Sequence, residues 1–210
     1  MKYINLIWDF DGMLFNTYPR MATAFQQALN DLGVNASYED VMVRIKRSVG
    51  RAAGDYAARF GLDRAALVER YQLREHAMPP ETMIPYEGMG YLLQDAASAG
   101  CRHYLYTHRD STAIEALERY GLQKLFSGMV TAMDHFPAKP APDALISILT
   151  KYELDPKVSL MLGDRDIDIK AAQNAGISGC LFDPEHFYDG FENEMRTDSV
   201  KELRALLELD

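Results

Sequence analysis

Two carboxylates separated by a single residue stand near the start of the chain, where an apolar run ends in Asp9-Phe10-Asp11-Gly12. Side chains at positions i and i+2 of an extended chain face the same way, so Asp9 and Asp11 are predicted to lie close together. Two like charges at that separation repel each other and attract a cation. The pattern therefore indicates a cation site, with an Asp-rich turn after a strand as the alternative interpretation.

Three later stretches also carry polar side chains at or near the predicted ends of strands: Thr107 with His108, Lys139 in a loop, and Asp164 with Asp168. The carboxyl ends of parallel strands meet at one edge of a sheet, so these residues are expected to converge on the first pair. Carboxylate oxygens suit Mg²⁺, which usually works with a substrate phosphate. A lysine and a hydroxyl suit the phosphoryl oxygens.

The elements that position these residues alternate between strand and helix. The residues from Tyr3 to Trp8 form a short, nearly unbroken apolar run, which is typical of a strand buried on both faces. After Glu87, the pattern predicts strands over 101–107, 126–132, 158–162 and 177–182, and helices over 88–99, 111–120, 142–152, 167–175 and 200–209. Such alternation predicts an α/β fold, a Rossmann-like parallel sheet with helices on both faces.

A helical segment interrupts this pattern directly after the first strand. From about Thr17 to Pro80 the spacing of apolar residues is helical, and no strand run occurs. We therefore expect two domains: an α/β core formed by 1–16 and 81–210, and an inserted helical domain formed by 17–80.

Composition limits the partners. The 210 residues carry a net charge of −9, which argues against nucleic acid and anionic membrane as main partners. The first residues read as a strand that contains Asn5 and Asp9, not as a signal peptide, and no apolar stretch is long enough to span a bilayer. Cys101 and Cys180 fit buried, reduced thiols. We expect a cytoplasmic protein that is a monomer or weak homodimer.

Taken together, the motifs resemble those of the haloacid dehalogenase-superfamily phosphatases, in the subfamily with a helical cap after the first strand. Asp9-Phe10-Asp11-Gly12 resembles the first motif, Thr107 the second, Lys139-Pro140 the third, and Gly163-Asp164 with Asp168 the fourth. The motifs occur in the right order, and the resemblance covers essentially the whole chain. Phosphoglycolate phosphatase-like and β-phosphoglucomutase-like members are similar in outline.

This resemblance implies a mechanism. Asp9 attacks phosphorus and becomes an aspartyl-phosphate, which splits the reaction into two steps. Asp11 protonates the leaving alcohol, for which a raised pKa would suit it, and then deprotonates the hydrolytic water. The implied Mg²⁺ ligands are the carboxylates of Asp9 and Asp164 and the backbone carbonyl of Asp11.

The remaining site residues also take their roles from the resemblance. The phosphate is expected to contact Gly12, Thr107, His108 and Lys139. Asp168 is expected near the metal, either behind its ligands or orienting a bound water, with a salt bridge as the alternative. His108 stands where many members have Asn.

Specificity is expected to come from the helical insertion. Lys46, Arg47 and Arg51 belong to a basic cluster in an otherwise acidic chain, and one of them could hold a second anionic group on the substrate. A solvated helix face is the alternative. Asn16 and Thr17 lie where the insertion leaves the core and are expected to be hinge or entrance residues.

The sequence thus predicts a Mg²⁺-dependent phosphatase that acts on a small phosphorylated metabolite, either phosphoglycolate-like or a sugar phosphate. A phosphomutase of the β-phosphoglucomutase type is the alternative among enzymes. A non-catalytic binding protein on the same fold is the alternative outside them. A haloacid dehalogenase is disfavoured, because that reaction attacks carbon and has no use for an acid at Asp11.

Overall fold

The computed structural model describes residues 2–193 and 195–209. The described chain divides into two compact units. The first combines the chain up to Phe15 with the chain from Pro85 onward, and the second spans Asn16–Ile84. Within the described ranges, no helix combines the length and the apolar character that crossing a membrane requires.

A parallel sheet of six strands forms the centre of the first unit. The strands are β1 (Asn5–Trp8), β2 (Arg102–Tyr106), β3 (Phe126–Val130), β4 (Ser159–Gly163), β5 (Ser178–Phe182) and β6 (Arg196–Thr197). Their order is β3-β2-β1-β4-β5-β6, and every neighbouring pair is parallel. This is the strand order of the Rossmann fold, whose ligands bind beyond the carboxyl ends of the strands. The predicted α/β architecture is confirmed.

Nine helices are described. Four belong to the second unit: α1 (Tyr18–Asp31), α2 (Tyr38–Arg47), α3 (Val49–Phe60) and α4 (Arg64–His76). Five belong to the first unit: α5 (Met89–Ser98), α6 (Thr112–Arg119), α7 (Asp143–Lys151), α8 (Asp166–Asn174) and α9 (Val200–Leu206). Each of the helices predicted after Glu87 is present, with ends that differ by at most three residues from the sequence pattern.

The apolar runs of the strands reflect burial on both faces of the sheet. On one face, Ile7, Tyr104 and Met161 pack with residues of α7 and α8 in a continuous apolar cluster. On the other face, the β2 residue His103 hydrogen-bonds the carbonyl of Leu93 in α5. Because helices cover both faces, neither face of β1 needs polar side chains.

A buried hydrogen-bond chain links the central strands to α5. Trp8 donates from Nε1 to Nδ1 of His103 at 2.9 Å, and Nε2 of the same imidazole lies 3.0 Å from the Leu93 carbonyl. With Nδ1 as acceptor, the proton of the neutral ring lies on Nε2. Burial lowers the pKa of His103 to about 4, so the ring stays neutral in the folded protein at neutral pH.

The second unit has a hydrophobic core of its own. Buried side chains from all four helices, Phe25, Val41, Ala53 and Leu67 among them, form one cluster. Arg20 adds a buried ion pair, since its Nε lies 2.7 Å from Oε1 of Glu75. All residues from Thr17 to Pro80 are described. They form helices and connecting loops without a strand, as the sequence pattern predicts.

The short strand β6 was not predicted. It has only two residues and joins the edge of the sheet beside β5. Its Arg196 donates to Asp183 at 2.6 Å and to Asp189 at 2.8 Å. Ion pairs rather than an apolar run therefore hold β6 in place, so hydrophobic periodicity carries no signal for it.

The pKa of His103 leads to a pH prediction. Between pH 6.5 and pH 4 the unfolded chain binds a proton at this position and the folded chain does not, so stability falls as the pH falls through this window. We expect a loss of about 2 to 3 kcal/mol between pH 7 and pH 4.5 from this group. Urea unfolding of the wild type and of His103→Gln at both pH values measures it. An equally steep pH dependence in the variant would contradict the assignment.

Candidate active site

The register of the sheet brings the ends of three strands level. Trp8 of β1 lies opposite Leu105 in β2 and Leu162 in β4. Asp9 therefore follows β1 at nearly the same height at which Thr107 follows β2 and Asp164 follows β4. All three residues are buried, so the sequence motifs meet at the carboxyl edge of the sheet.

The ammonium group of Lys139 lies between two carboxylates at this edge. Its Nζ hydrogen-bonds Oδ1 of Asp9 at 2.8 Å and the carbonyl of Tyr106 at 3.0 Å, and it forms an ion pair with Oδ1 of Asp168 at 2.7 Å. The side chains of Lys139 and Asp168 are 0% exposed and that of Asp9 is 2% exposed. The three charged groups are therefore shielded from water, and each carboxylate is in direct contact with the ammonium group.

Burial and charge pull the pKa values of this cluster in different directions. Burial raises the pKa of Asp9 to about 6, although Lys139 opposes this shift. Burial would also raise the pKa of Asp168, but Lys139 and Arg165 outweigh it and lower that pKa. Burial would lower the pKa of Lys139, but Asp168 and Asp9 outweigh it and raise that pKa. At neutral pH one cation therefore faces two carboxylates.

The same edge offers donors for a divalent cation. Asp9, Asp164 and Asp168 each place a carboxylate oxygen within 4.8 Å of the others, and all three residues are buried. Oδ2 of Asp9 is buried and accepts no hydrogen bond from the described residues. Three buried carboxylates this close together fit Mg²⁺, which prefers hard oxygen ligands.

Asp168 has partners on both of its oxygens. Oδ1 contacts Lys139, and Oδ2 accepts from the backbone N–H of Arg165 at 3.0 Å. This geometry favours the salt-bridge alternative for Asp168 over direct ligation of a metal. Asp166, in contrast, is the first residue of α8 and pairs with exposed Lys170.

Gly163 allows Asp168 to approach the end of β4. A Cβ atom at position 163 would lie 2.3 Å from Cβ and 2.4 Å from Cγ of Asp168. Such contacts are far shorter than van der Waals separation, so only glycine fits here. The glycine of the fourth motif is thus explained by close packing.

The loop after β2 is held by its own polar groups. Oγ1 of Thr107 accepts from the backbone N–H of Arg109 at 3.1 Å, so the hydroxyl proton of Thr107 remains available to another acceptor. Nε2 of His108 accepts from the backbone N–H of Lys139 at 2.9 Å. His108 therefore joins this loop to the loop that carries Lys139, a role that its sequence position did not indicate.

Asp11 is paired with an arginine that the sequence did not single out. Nε of Arg109 lies 2.9 Å from Oδ1 and 3.2 Å from Oδ2 of Asp11, and Nη2 lies 2.8 Å from Oδ1. A guanidinium in this position stabilises the ionised carboxylate. The role of general acid that the resemblance implies for Asp11 requires the protonated form at the start of the reaction. The only signal in the sequence was an arginine two residues after Thr107.

Gly12 shapes the turn that follows Asp11. Its φ of 78° lies in the left-handed region, which glycine adopts without strain. Its N–H donates to the Phe15 carbonyl at 2.8 Å, and the N–H of Phe15 donates to the Phe10 carbonyl at 3.0 Å. The N–H of Gly12 is thus engaged within the turn.

Comparison with known proteins identifies the family. The sequence profile of the haloacid dehalogenase-like hydrolases matches residues 6–182, which include all four motifs. The chain belongs to this family. It is therefore a hydrolase by descent, and the resemblance carried by Asp9, Thr107, Lys139 and Asp164 is confirmed at the level of the family.

Relatives of this hydrolase carry the names of phosphatases. A phosphoglycolate phosphatase from Vibrio cholerae is 31% identical over 192 residues, which cover 84% of this chain and 83% of the relative. Pyrophosphatase PpaX from Bacillus mycoides is 27% identical over 179 residues, which cover 84% and 81%. The crystal structure of a hydrolase from Streptococcus pneumoniae TIGR4 superposes with a TM-score of 0.68 at 30% identity, covering 99% of this chain and 100% of that one.

The helical unit of this hydrolase separates the basic residues grouped by the sequence. Lys46 is buried, and its ammonium lies 5.5 Å from the ring centroid of Tyr18. Arg47 and Arg51 instead line a groove of about 620 Å³, together with Arg44, Arg64, Asp40 and Asp55. Lys46 and Arg47 are adjacent in the sequence, but the first is buried and the second lines the groove.

The two junction residues lie at the start of the helical unit. Thr17 is buried, and its carbonyl accepts from the N–H of Met21 in the first turn of α1. The N–H of Asn16 donates to the carbonyl of Ile84 at 2.9 Å, so the two ends of the unit are hydrogen-bonded to each other.

Replacement of Gly163 tests the packing beneath Asp168. In Gly163→Ala the new methyl group must displace Asp168, so we expect a loss of about 1 to 3 kcal/mol in the free energy of unfolding. Urea denaturation measures it. Gly90→Ala is the matched control, because its Cβ would meet Leu122 at an ordinary 3.6 Å. Equal stability of the two variants would show that the close approach of Asp168 is not fixed.

Removal of the buried ammonium tests the charge balance. Lys139→Met leaves Asp9 and Asp168 without their cation, so the free energy of unfolding at pH 7.5 should fall by about 3 to 5 kcal/mol. Adding Asp168→Asn should restore part of this loss, because it removes one of the two repelling charges. Lys170→Met, which breaks only the exposed pair with Asp166, should have little effect. A double variant no more stable than Lys139→Met would contradict this account.

Proposed function

We propose that the protein is a Mg²⁺-dependent phosphatase that hydrolyses a small phosphorylated metabolite through an aspartyl-phosphate intermediate. The observation that carries the proposal is the state of the Asp9 carboxylate. One oxygen is held by Lys139 at 2.8 Å, and the other is buried without a hydrogen bond from the described residues. A carboxylate fixed through one oxygen and open at the other is suited to attack phosphorus.

The first step forms the bond between an Asp9 oxygen and phosphorus while the bond from phosphorus to the leaving oxygen breaks. Asp11 gives its proton to the leaving oxygen. The hydroxyl of Thr107, whose oxygen already accepts from Arg109, has a proton to donate to a phosphoryl oxygen. Lys139 neutralises part of the negative charge on the oxygens of the transferring phosphoryl group.

The second step returns the enzyme to its starting form. Water attacks phosphorus, the bond between Asp9 and phosphorus breaks, and inorganic phosphate leaves. Asp11 accepts the proton of the water. This step requires the ionised form of Asp11, and the contact with the Arg109 guanidinium suits that form.

Asp9 and Asp164 would hold Mg²⁺, with Asp168 placed behind them on Lys139. When bound, the cation reduces the repulsion between these carboxylates and an anionic phosphate. The backbone carbonyl of Asp11 is a further ligand that the family resemblance supplies.

The proposed substrate class is supported by the named relatives and by the arginine side chains of the helical unit. A phosphoglycolate phosphatase is 31% identical and a pyrophosphatase is 27% identical to this chain, so small, strongly anionic phosphates are the first candidates. The helical unit is proposed to supply specificity as a cap, with Arg47 and Arg51 as candidates for a second anionic group. The buried thiols of Cys101 and Cys180 support a cytoplasmic location.

Hydrolysis of p-nitrophenyl phosphate tests the proposal. With Mg²⁺ the wild type should turn over, and it should lose activity when EDTA removes the metal or when Asp9→Asn removes the nucleophile. Asp166→Asn is the matched control, because Asp166 lies in a solvent-exposed ion pair with Lys170, and it should stay active. Acid-quenched mass spectrometry should show one added phosphoryl group on Asp9.

Absence of turnover by the wild type, with Mg²⁺ raising its melting temperature, would overturn the phosphatase proposal and leave a binding protein. If activity is present, 2-phosphoglycolate, inorganic diphosphate and glucose 1-phosphate separate the candidate substrates by kcat/KM.

A further inference from the structure

The pair formed by Arg109 and Asp11 is one of the least exposed ion pairs of the first unit outside the Lys139 cluster. The side chains are 8% and 19% exposed, respectively. Three contacts of 2.8 to 3.2 Å join one guanidinium to both oxygens of the carboxylate. Planar contacts of this kind fix orientation as well as distance.

Arg109 is held along its whole length. Its backbone N–H donates to Oγ1 of Thr107 at 3.1 Å, and its carbonyl accepts from the N–H of Ala132 at 3.0 Å. Its guanidinium carbon lies 5.9 Å from the ring centroid of Phe10, within range of a cation–π contact. The guanidinium is therefore presented to Asp11 from a fixed base.

The backbone of Asp11 is fixed by the turn that follows it. The turn through Gly12 and the bridge between Asp11 and Phe15 set the position of its Cα atom. An aspartate side chain on a fixed backbone still chooses among several rotamers. The two-oxygen contact with Arg109 selects one of them.

We propose that Arg109 is a positioning residue that holds the Asp11 carboxylate in the orientation required for proton transfer, a proposal that rests on the proposed function. In the hydrolytic step, the water proton moves to Asp11 as the bond between water oxygen and phosphorus forms and the bond from Asp9 breaks. Arg109 keeps its own protons throughout, because a guanidinium does not deprotonate in proteins. Its contribution is the alignment of the accepting oxygen.

A structural role and a positioning role of Arg109 lead to different kinetic results when Asp11 is also replaced. A structural role would affect folding or substrate binding whether or not position 11 can transfer protons. A positioning role vanishes once Asp11 is replaced, because nothing remains to be positioned. The non-additivity of two substitutions therefore separates the two roles.

The experiment is a double-mutant cycle on kcat for p-nitrophenyl phosphate with saturating Mg²⁺. Arg109→Ala should lower kcat by about 10- to 100-fold in the wild-type background and by less than about twofold in the Asp11→Asn background. KM should change little in both. Arg109→Lys, which keeps the cation but loses the planar contact, should have an intermediate kcat. Arg119→Ala, at an exposed position of α6, is the control and should behave as wild type.

Equal losses of kcat in the two backgrounds would overturn the proposal, as would a raised KM with unchanged kcat. Thermal melting of each variant identifies loss of folding, and Arg109→Lys then decides the question through the same cycle. Failure of the proposed function is distinguishable, because the wild type itself would then show no Mg²⁺-dependent turnover. The positioning role would be overturned by the same result.

Discussion

A single buried ammonium group, that of Lys139, joins segments that are far apart in the sequence. It contacts Asp9 after β1, the Tyr106 carbonyl at the end of β2, and Asp168 in the first turn of α8. Without this cation, two carboxylates buried at the edge of the sheet would lose the direct contact that offsets their repulsion. The chemistry proposed for Asp9 and the packing of the sheet edge therefore depend on the same contact.

The surroundings of this contact are built from backbone geometry. The parallel register places the ends of β1, β2 and β4 at one height. Gly163 lets Asp168 lie against the end of β4, and His108 holds the backbone of Lys139. With these supports in place, one oxygen of Asp9 accepts no hydrogen bond from the described residues, and that oxygen is the proposed nucleophile.

Much of the fold is readable from the sequence, because the strands are buried on both faces and their apolar runs are nearly unbroken. The site is readable as a set of strand-end residues, since parallel strands bring their ends together. The pairing of Asp11 with Arg109 could not be predicted from the sequence, because it depends on how far a long side chain reaches from a neighbouring loop. The separation of Lys46 from Arg47 was also missed. Position 46 lies beside the buried stripe of α2, which contains Val41 and Ile45, and a charged residue there gives no apolar signal.

The two units differ in how far apart along the chain their contacts lie. The core of the helical unit is built entirely within Asn16–Ile84, whereas Asp9 finds its counter-charge 130 residues later, at Lys139. During synthesis, the helical unit can acquire its whole core while β1 still lacks both neighbouring strands. The order in which the chain is synthesised therefore places the insertion first and the carboxyl edge of the sheet last. Until residues 139 to 168 have been synthesised, Asp9 lacks Lys139 and Asp168, and a nascent chain stopped short of that point carries the helical insertion without the assembled candidate site.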